Sequence, residues 1–401
     1  MTGRGGDLRS SWRRLAWAAV LVPAVLAGGA AGAEPGVTDT AVKIGMFGPL
    51  TGATSVYGYP INNGPIAVYN DINAKGGING RKIEIVHEDG ACDAAKTRAA
   101  VKKMIFRDQV FMIHGGSCSA AVFAARDEFI DNKVPFMVMA ATMDKISAPV
   151  NRYIFTTTLP GSLDGGLMLK FLTSMPNVKT FAIVKHSDEW AEAKATEFLK
   201  GYKAAGLQLL ETVDLERKAS DATPQVLRIQ KAAVDAVVVL LYPAETAVFA
   251  RDALKYGLKG PFLGTVSTQD LKDVADRAGS ADAVTNFYTA SFLQEGTEHP
   301  NMKPFADTYK ASFPNDRLMA LNFYGMSGAF AIADALKRAG RDLTREGFVN
   351  ALEQTREGFA GPAACKVQFT PENHQGCRDG TMWTFRKGQI VNVGPTWRNV
   401  D

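Results

Sequence analysis

Short apolar runs rich in β-branched residues alternate with longer amphipathic segments from residue 42 onwards. Residues 42–47 and 82–87 have the alternation of strands, whereas Ile66, Tyr69 and Ile72 repeat at helical spacing between them. In this first series we predict strands at 42–47, 82–87, 110–114 and 135–139, and helices at 62–74, 94–107 and 120–132. Alternating strands and helices predict a parallel sheet that is covered by helices on both faces.

A second series of the same kind begins near residue 163. It predicts helices at 163–174, 190–205, 223–233 and 245–256, and strands at 180–184, 208–215, 236–241 and 262–264. A further apolar run at 287–291 precedes predicted helices at 302–313, 322–339 and 345–354, and a hairpin at 381–386 and 390–393. Two series indicate two similar α/β lobes, with a candidate hinge at residues 156–160.

The segments that follow the predicted strands are the candidates for a binding site, because open α/β sheets bind ligands beyond the carboxyl ends of their strands. These segments are residues 48–59, 115–119, 140–144, 185–190, 242–244 and 264–268. A site shared by both lobes would draw on them.

The first 33 residues have the three parts of a secretory signal peptide. Four arginines at positions 4, 9, 13 and 14 supply positive charge, residues 15–27 form an uncharged apolar run, and Ala31-Gly32-Ala33 is a small-residue cleavage site. The alternative is a membrane anchor, but the apolar run is shorter than the roughly 20 residues of a bilayer span. We therefore expect export to the periplasm and a mature chain that begins near Glu34.

The chain has four cysteines, an even number. Because an exported chain folds in an oxidising compartment, we predict two local disulfides, Cys92 with Cys118 and Cys365 with Cys377. We expect neither a metal site nor a cofactor, since the sequence has no CxxC spacing and its five histidines are scattered.

Composition and motifs argue against two other classes of protein. Apolar residues make up 46% and charged residues 21% of the chain, as in an ordinary globular protein. The formal charge of +4 comes largely from the N-terminal arginines, so the remainder has no electrostatic footprint for nucleic acid. His114, Ser117 and Ser119 are close in sequence but lack the GxSxG context of a hydrolase nucleophile. We therefore do not expect an enzyme.

Four segments resemble the leucine/isoleucine/valine-binding protein family. Residues 44–57 (IGMFGPLTGATSVY) are similar to the opening of that family, and residues 72–83 (INAKGGINGRKI) to its second hallmark. Residues 88–93 (EDGACD) and 115–119 (GGSCS) resemble the two stretches that hold the family's disulfide. The resemblance extends over residues 37–401 and is strongest before residue 145.

The resemblance implies a type I periplasmic-binding-protein fold, in which two Rossmann-like lobes joined by three hinge strands close on a ligand. It implies a first lobe at 34–158 plus 291–360 and a second at 159–290 plus 361–401. The protein would then be the solute-binding component of an ABC importer, which delivers its ligand to an inner-membrane permease, and we expect it to be a monomer. A periplasmic sensor module of the same fold is the alternative.

Ser119, Ala141 and Thr142 match the positions with which the family binds a ligand carboxylate. A buried carboxylate needs hydrogen bonds in place of its hydration water, and hydroxyl and backbone groups can supply them. The competing interpretation is that Ser119 is an ordinary helix N-cap and Thr142 a loop residue.

Tyr57, Trp190 and Tyr242 match aromatic positions that line the family's pocket. Trp190 stands where a tyrosine is usual, which changes the shape and the stacking surface of the predicted pocket. The competing interpretation is that each ring packs in the core of its own lobe.

One position departs from the family pattern. Amino-acid binders carry a glutamate that holds the ligand's ammonium, and this chain has Val266 at or near that place. Because a buried ammonium without a carboxylate partner is disfavoured, either another acid substitutes or the ligand has no ammonium. The candidate substitutes are Asp188, Glu189, Glu245 and Asp270. We favour a small carboxylate without an ammonium, such as an aromatic or a keto acid, with a branched-chain or other amino acid as the alternative.

Overall fold

The structure is a computed structural model that describes residues 34–52, 54–355 and 361–396. The predicted signal peptide lies outside the described residues. Within these ranges, no helix combines the length and the apolar content needed to cross a bilayer.

The strands of the first series form a five-stranded parallel sheet in the described part of the chain. They are β1 (Ala41–Gly48), β2 (Lys82–Asp89), β3 (Met112–Gly115), β4 (Phe136–Val138) and β5 (Ile154–Thr156). Their order is β2-β1-β3-β4-β5. This confirms the predicted parallel sheet and adds β5, a three-residue strand that the sequence pattern did not reveal.

The second series forms a seven-stranded sheet, counted over the same described ranges. Its strands are β6 (Thr180–Lys185), β7 (Gln208–Asp214), β8 (Ala236–Leu240), β9 (Phe262–Gly264), β10 (Phe287–Ser291), β11 (Thr381–Arg386) and β12 (Gln389–Asn392). The order is β12-β11-β10-β9-β8-β6-β7, so the five parallel strands from β7 to β10 repeat the order of the first sheet. β11 and β12 pair antiparallel, which confirms the predicted hairpin.

The helices of the first series are α1 (Ser55–Ala74), α2 (Ala94–Lys102), α3 (Ser119–Ala124), α4 (Arg126–Asp131) and α5 (Asp144–Ser147). Those of the second are α6 (Gly161–Thr173), α7 (Glu189–Gly201), α8 (Thr223–Ala232), α9 (Pro243–Tyr256) and α10 (Leu271–Ala278). Between β10 and β11 the chain forms α11 (Lys303–Ser312), α12 (Met326–Ala339) and α13 (Arg345–Glu353). α11 and α12 pack against α1, on the side of the first sheet.

Both faces of each sheet are buried. In β4, Met137 packs in one apolar cluster while its neighbour Phe136 packs in another. Phe181 and Ala182 of β6 divide between two clusters in the same way. Because successive strand residues point to opposite faces, apolar layers cover both sides of each sheet, as the sequence predicts.

Two helices differ most from the prediction. α1 begins at Ser55 rather than at residue 62 and contains Pro60 and Pro65, so its first turns have poor intrinsic helix propensity. Tertiary packing overrides that propensity, because Gly64 lets the helix approach the backbone of Asn322 closely. The predicted helix at 120–132 is divided at Ala125 into α3 and α4.

The described chain passes between the two sheets three times: after β5, after β10 and before β11. The first and third crossings lie side by side, since Gly376 N donates to the Thr156 carbonyl at 2.8 Å and Thr156 N donates to the His374 carbonyl at 3.0 Å. The second and third are joined where Gln294 N donates to the Pro362 carbonyl at 3.0 Å. The candidate hinge at 156–160 is therefore one of three adjacent crossings.

Both predicted disulfides are present. Cys92 and Cys118 have Cα atoms 5.4 Å apart, and Cys365 and Cys377 have Cα atoms 5.9 Å apart. The first bond fixes the residue that immediately precedes Ser119, and a closed loop of its size stabilises a fold by roughly 3–4 kcal/mol in the chain-entropy model. The second bond closes a loop within the third crossing.

Candidate functional site

Loops at the carboxyl ends of the two sheets meet. Trp190, which follows β6, donates from its indole Nε1 to the Thr142 Oγ1, which follows β4, at 3.2 Å. The Tyr324 hydroxyl donates to the carbonyl of Val266, which follows β9. In each sheet the strand order reverses nearby, between β1 and β3 and between β6 and β8, and such reversals are where open α/β sheets bind ligands.

Ser119 is the first residue of α3 and does not cap it, because Cys118 occupies the N-cap position. The buried Ser119 Oγ instead accepts hydrogen bonds from the backbone N–H groups of Thr142 at 3.1 Å and Met143 at 3.3 Å. The N-cap interpretation is therefore wrong, and the hydroxyl of Ser119 fixes the loop that carries Thr142.

Thr142 is buried at the centre of this junction. Its Oγ1 accepts from Trp190 Nε1 at 3.2 Å and from Lys194 Nζ at 3.3 Å. Since a hydroxyl has two lone pairs and one proton, the Thr142 O–H remains as a donor. Ala141 beside it is buried and donates its own N–H to the Gly116 carbonyl at 3.2 Å, so that amide is used by the fold.

Trp190 and Tyr242 form an aromatic stack, with ring centroids 4.3 Å apart and planes inclined by 19°. The Arg217 guanidinium carbon lies 3.8 Å from the Tyr242 ring centroid, and Lys194 Nζ lies 5.0 Å from that of Trp190. Both cations are within the range of favourable cation–π interaction. The indole N–H reaches the first sheet's loop, so Trp190 contacts more than the core of its own sheet.

His186 packs against the stack and holds the Tyr242 backbone by a hydrogen bond. Its Nδ1 lies 2.8 Å from the Leu215 carbonyl oxygen, and its Nε2 accepts from the Tyr242 backbone N–H at 3.2 Å. These partners require the neutral ring with its proton on Nδ1. Burial lowers the pKa of His186, and the nearby Arg217 lowers it further, which favours that neutral form.

Tyr57 belongs to helix α1 and lies next to the stack of Trp190 and Tyr242 but outside it. Its hydroxyl is against the backbone amide of Ala244, and its ring centroid is 5.4 Å from the Arg277 guanidinium carbon. Burial raises the pKa of Tyr57, while the charge of Arg277 opposes that rise. Tyr57 therefore meets the loop that carries Tyr242 without joining the stack.

Val266 is buried in a tight turn, Val266–Thr268, and its backbone N–H lies 3.4 Å from both carboxylate oxygens of Asp164. Asp164 in turn pairs with Lys194, with Oδ2 and Nζ 2.8 Å apart and both side chains fully buried. Burial raises the pKa of the Asp164 carboxyl, and the Lys194 ammonium counteracts that rise. Asp164 is thus the acid that pairs with Lys194 at this junction.

The four acids considered from the sequence all have other partners. Asp188 pairs with Arg217, Glu189 with Lys145, Glu245 accepts from the Lys218 backbone N–H, and Asp270 accepts from the Ala320 backbone N–H.

Lys194 and Asp164 were not identified as site residues from the sequence, although the position of Lys194 in its helix was informative. It falls four residues after Trp190 and four before Phe198, which places a lysine on the apolar stripe of α7. Asp164 follows Leu163 in a glycine-rich helix whose other buried residues are apolar or glycine, but nothing in the sequence joins it to Lys194 thirty residues later.

The cluster does not resemble a hydrolytic centre. His114 Nδ1 lies 2.8 Å from the Tyr69 hydroxyl, whereas Ser119 is bonded to the backbone of the loop after β4. Neither pairs with the other, so His114 does not serve as a base for Ser119. Two sheets of matching strand order, three crossings and a buried polar junction instead define a two-lobed α/β binding protein.

Comparison with known proteins gives the family. The family model described as "Periplasmic binding protein" matches residues 41–389, and the chain belongs to that family. A curated relative is the leucine-, isoleucine-, valine-, threonine-, and alanine-binding protein of Pseudomonas aeruginosa, 27% identical over 300 residues, which cover 75% of this chain and 79% of that protein. Such relatives are binding proteins, which agrees with the prediction that the chain is not an enzyme.

Two solved structures share the fold. The fatty acid ABC transporter substrate-binding protein from Thermomonospora curvata is 24% identical, with a TM-score of 0.80 over 91% of this chain and 94% of that one. A solute binding protein of an ABC transporter from Rhodopseudomonas palustris, in complex with 3,4-dihydroxy benzoic acid, is 23% identical, with a TM-score of 0.78 over 91% of this chain and 99% of that one. These likenesses confirm the type I periplasmic-binding-protein fold.

Proposed function

We propose that the protein is the solute-binding component of an ABC importer and that it captures a small carboxylate without an ammonium group, an aromatic or a keto acid. It would act as a monomer in the periplasm, after removal of residues 1–33, and deliver the ligand to an inner-membrane permease. The family assignment supports the role in binding. The two structural neighbours support the transporter and show that this fold serves acids other than amino acids.

The observation that carries the proposal is the pair of donors at Thr142 and Lys194. The Thr142 hydroxyl accepts two hydrogen bonds and keeps its proton. Lys194 uses two of its three N–H groups on Asp164 and Thr142. Adjacent buried O–H and ammonium donors suit a carboxylate or keto oxygen, because hydrogen bonds to an ionised group are the strong ones.

The two lobes would be residues 34–158 plus 291–360 and residues 159–290 plus 361–401. Packing of α11 and α12 on α1 and the presence of β11 and β12 in the second sheet support this division. Thr142 then belongs to the first lobe, and Trp190 and Lys194 to the second. Bending at the three crossings would separate these groups to admit a ligand and bring them together around it.

An amino acid is the second candidate ligand, because the curated relative is named for aliphatic amino acids. A thermal-shift screen of the exported protein separates the two candidates, since a ligand that binds only the folded state raises its Tm by mass action. The library holds aromatic acids, keto acids and amino acids. We expect the largest shifts from acids without an ammonium, and a larger shift from leucine or valine would contradict the proposed ligand class.

Thr142→Val tests the carboxylate site. The substitution keeps the side-chain shape and removes the hydroxyl, so we expect the affinity for the best ligand of the screen to fall about 10- to 100-fold, the value of one hydrogen bond to a charged group. Isothermal titration calorimetry measures the change. Thr142→Ser keeps the hydroxyl and serves as the matched control. Equal affinities of the Val and Ser variants would show that the Thr142 hydroxyl does not bind the ligand.

A further inference from the structure

The Lys194–Asp164 ion pair is an energetically costly way to hold two helices together. Both side chains are fully buried, with Nζ and Oδ2 2.8 Å apart on the facing helices α7 and α6. Taking two charges out of water is costly, and apolar residues of similar size usually stabilise a core as well or better. A pair of this kind at a binding junction therefore calls for a functional explanation.

The ammonium of Lys194 lies between the two polar parts of the junction. On one side it donates to Thr142 Oγ1 at 3.3 Å, and on the other it neutralises Asp164, whose carboxylate faces the Val266 backbone. It also lies over the Trp190 ring. Asp164, the acid that Lys194 joins to the Thr142 hydroxyl, is thus already paired with a cation of the protein itself.

We propose that Lys194 determines ligand selectivity: it binds the carboxylate or keto oxygen of the ligand and, by occupying Asp164, excludes ligands that carry an α-ammonium. This inference rests on the proposed function. An amino acid held at Thr142 would bring its ammonium toward that of Lys194, and like charges repel strongly where water is excluded. The other acids nearby cannot replace Asp164 without losing partners, since Asp144 binds the Ser162 backbone and Asp188 pairs with Arg217.

The test compares ligands that differ only in the keto or amino group: 4-methyl-2-oxopentanoate with leucine, and phenylpyruvate with phenylalanine. The readout is the ratio of the two Kd values within each pair, measured by calorimetry on the exported protein. Wild-type protein is expected to prefer the keto acid. Lys194→Met should weaken keto-acid binding about 30-fold or more, the usual effect of removing a buried charged partner. It should also strengthen amino-acid binding, because Asp164 becomes free to accept an ammonium.

Two further variants keep the test informative if Lys194→Met does not fold and control for the loss of a lysine. Lys194→Met combined with Asp164→Asn removes both charges, so it remains informative if the single variant fails to fold, and its Kd ratio should approach one. Lys200→Met is the control, because Lys200 lies on the same helix α7 but pairs with Glu197 at the surface, and its loss should leave the ratio unchanged.

The outcomes are distinct. A Kd ratio that the Lys194 variants leave unchanged, in a protein that prefers keto acids, overturns the selectivity role and leaves the proposed function intact. A wild-type preference for amino acids contradicts the proposed ligand class as well as the selectivity role, and leaves only the role in solute binding. Absence of binding to every keto, aromatic and amino acid of the screen overturns the proposed function and this inference with it.

Discussion

The hydroxyl of Ser119 has a structural task that can be measured without any ligand. Ser119→Ala leaves the N–H groups of Thr142 and Met143 without their acceptor in a buried place. We therefore expect the free energy of unfolding to fall by about 1–3 kcal/mol, the usual cost of unsatisfied buried donors. Urea denaturation of the ligand-free protein measures it. Ser117→Ala on the same loop is the control, because the Ser117 hydroxyl makes only a weak contact, 4.0 Å from Cys118 Sγ, and accepts neither of these two N–H groups. An equal loss of stability in both variants would contradict the assigned hydrogen bonds.

At the scale of residues, the sequence led to Ser119, Thr142, Trp190 and Tyr242 because each follows a strand and matches a family position. Their mutual contacts join residues 23, 48 and 52 positions apart in the chain and could not be predicted. Lys194 could have been found from its place on the apolar stripe of its helix. Asp164 could not, because its partner is identified only when α6 and α7 are packed together.

Among the elements, the contact of α6 with α7 sets the position of Lys194. A Cβ added at Gly165 of α6 would lie 2.6 Å from the Lys194 carbonyl oxygen, a backbone atom that cannot move alone. Gly165→Ala should therefore push the helices apart and destabilise the protein by about 1–3 kcal/mol, as overpacking usually does. Urea midpoints give the comparison.

Gly201→Ala on α7 is the matched control for that variant. Its added Cβ meets the flexible end of the Leu169 side chain at the same 2.6 Å, and alanine is the better helix former. We expect Gly201→Ala to be neutral or stabilising. Equal destabilisation of both variants would show that the approach at Gly165 has no special role.

Long periodic segments made most elements predictable, and short or proline-containing ones did not. All five residues of β8 are apolar and buried, so its pattern is unambiguous. β5 and α5 have three and four residues, too few to show a period. The start of α1 was missed because Pro60 and Pro65 oppose a helix that only its packing partners stabilise.

For the whole molecule, buried histidines predict how stability depends on pH. Burial lowers the pKa of His114 to about 3, and lowers the pKa of His186 and His374 as well. In the unfolded chain a histidine has a pKa of about 6.5, so below that pH the unfolded state binds protons that the folded state does not. Stability should be fully present above pH about 6.5 and fall below it, by up to about 1.4 kcal/mol per pH unit for each such histidine.

His114→Gln tests the largest of these contributions. Glutamine can still hydrogen-bond to Tyr69 but does not titrate, so the variant should lose less stability than the wild type between pH 6.5 and 4.5. Urea denaturation at several pH values gives both slopes. Identical slopes would mean that His114 does not contribute to the acid sensitivity of the fold.

The two-sheet arrangement could be predicted from the repeated βαβ order and from the family resemblance. The contact between Thr142 and Trp190, which joins the two sheets, could not. Pairing order within a sheet is governed by local patterns and short connections. The contact between sheets depends on three crossings that are far apart in sequence and adjacent in space.

The two disulfides join the first cysteine to the second and the third to the fourth in chain order. A polypeptide that enters an oxidising compartment from its N-terminus offers its thiols in that same order. Linking each newly arrived thiol to the one before it therefore produces the native bonds directly. We therefore expect the exported chain to reach its native disulfides without reshuffling by an isomerase.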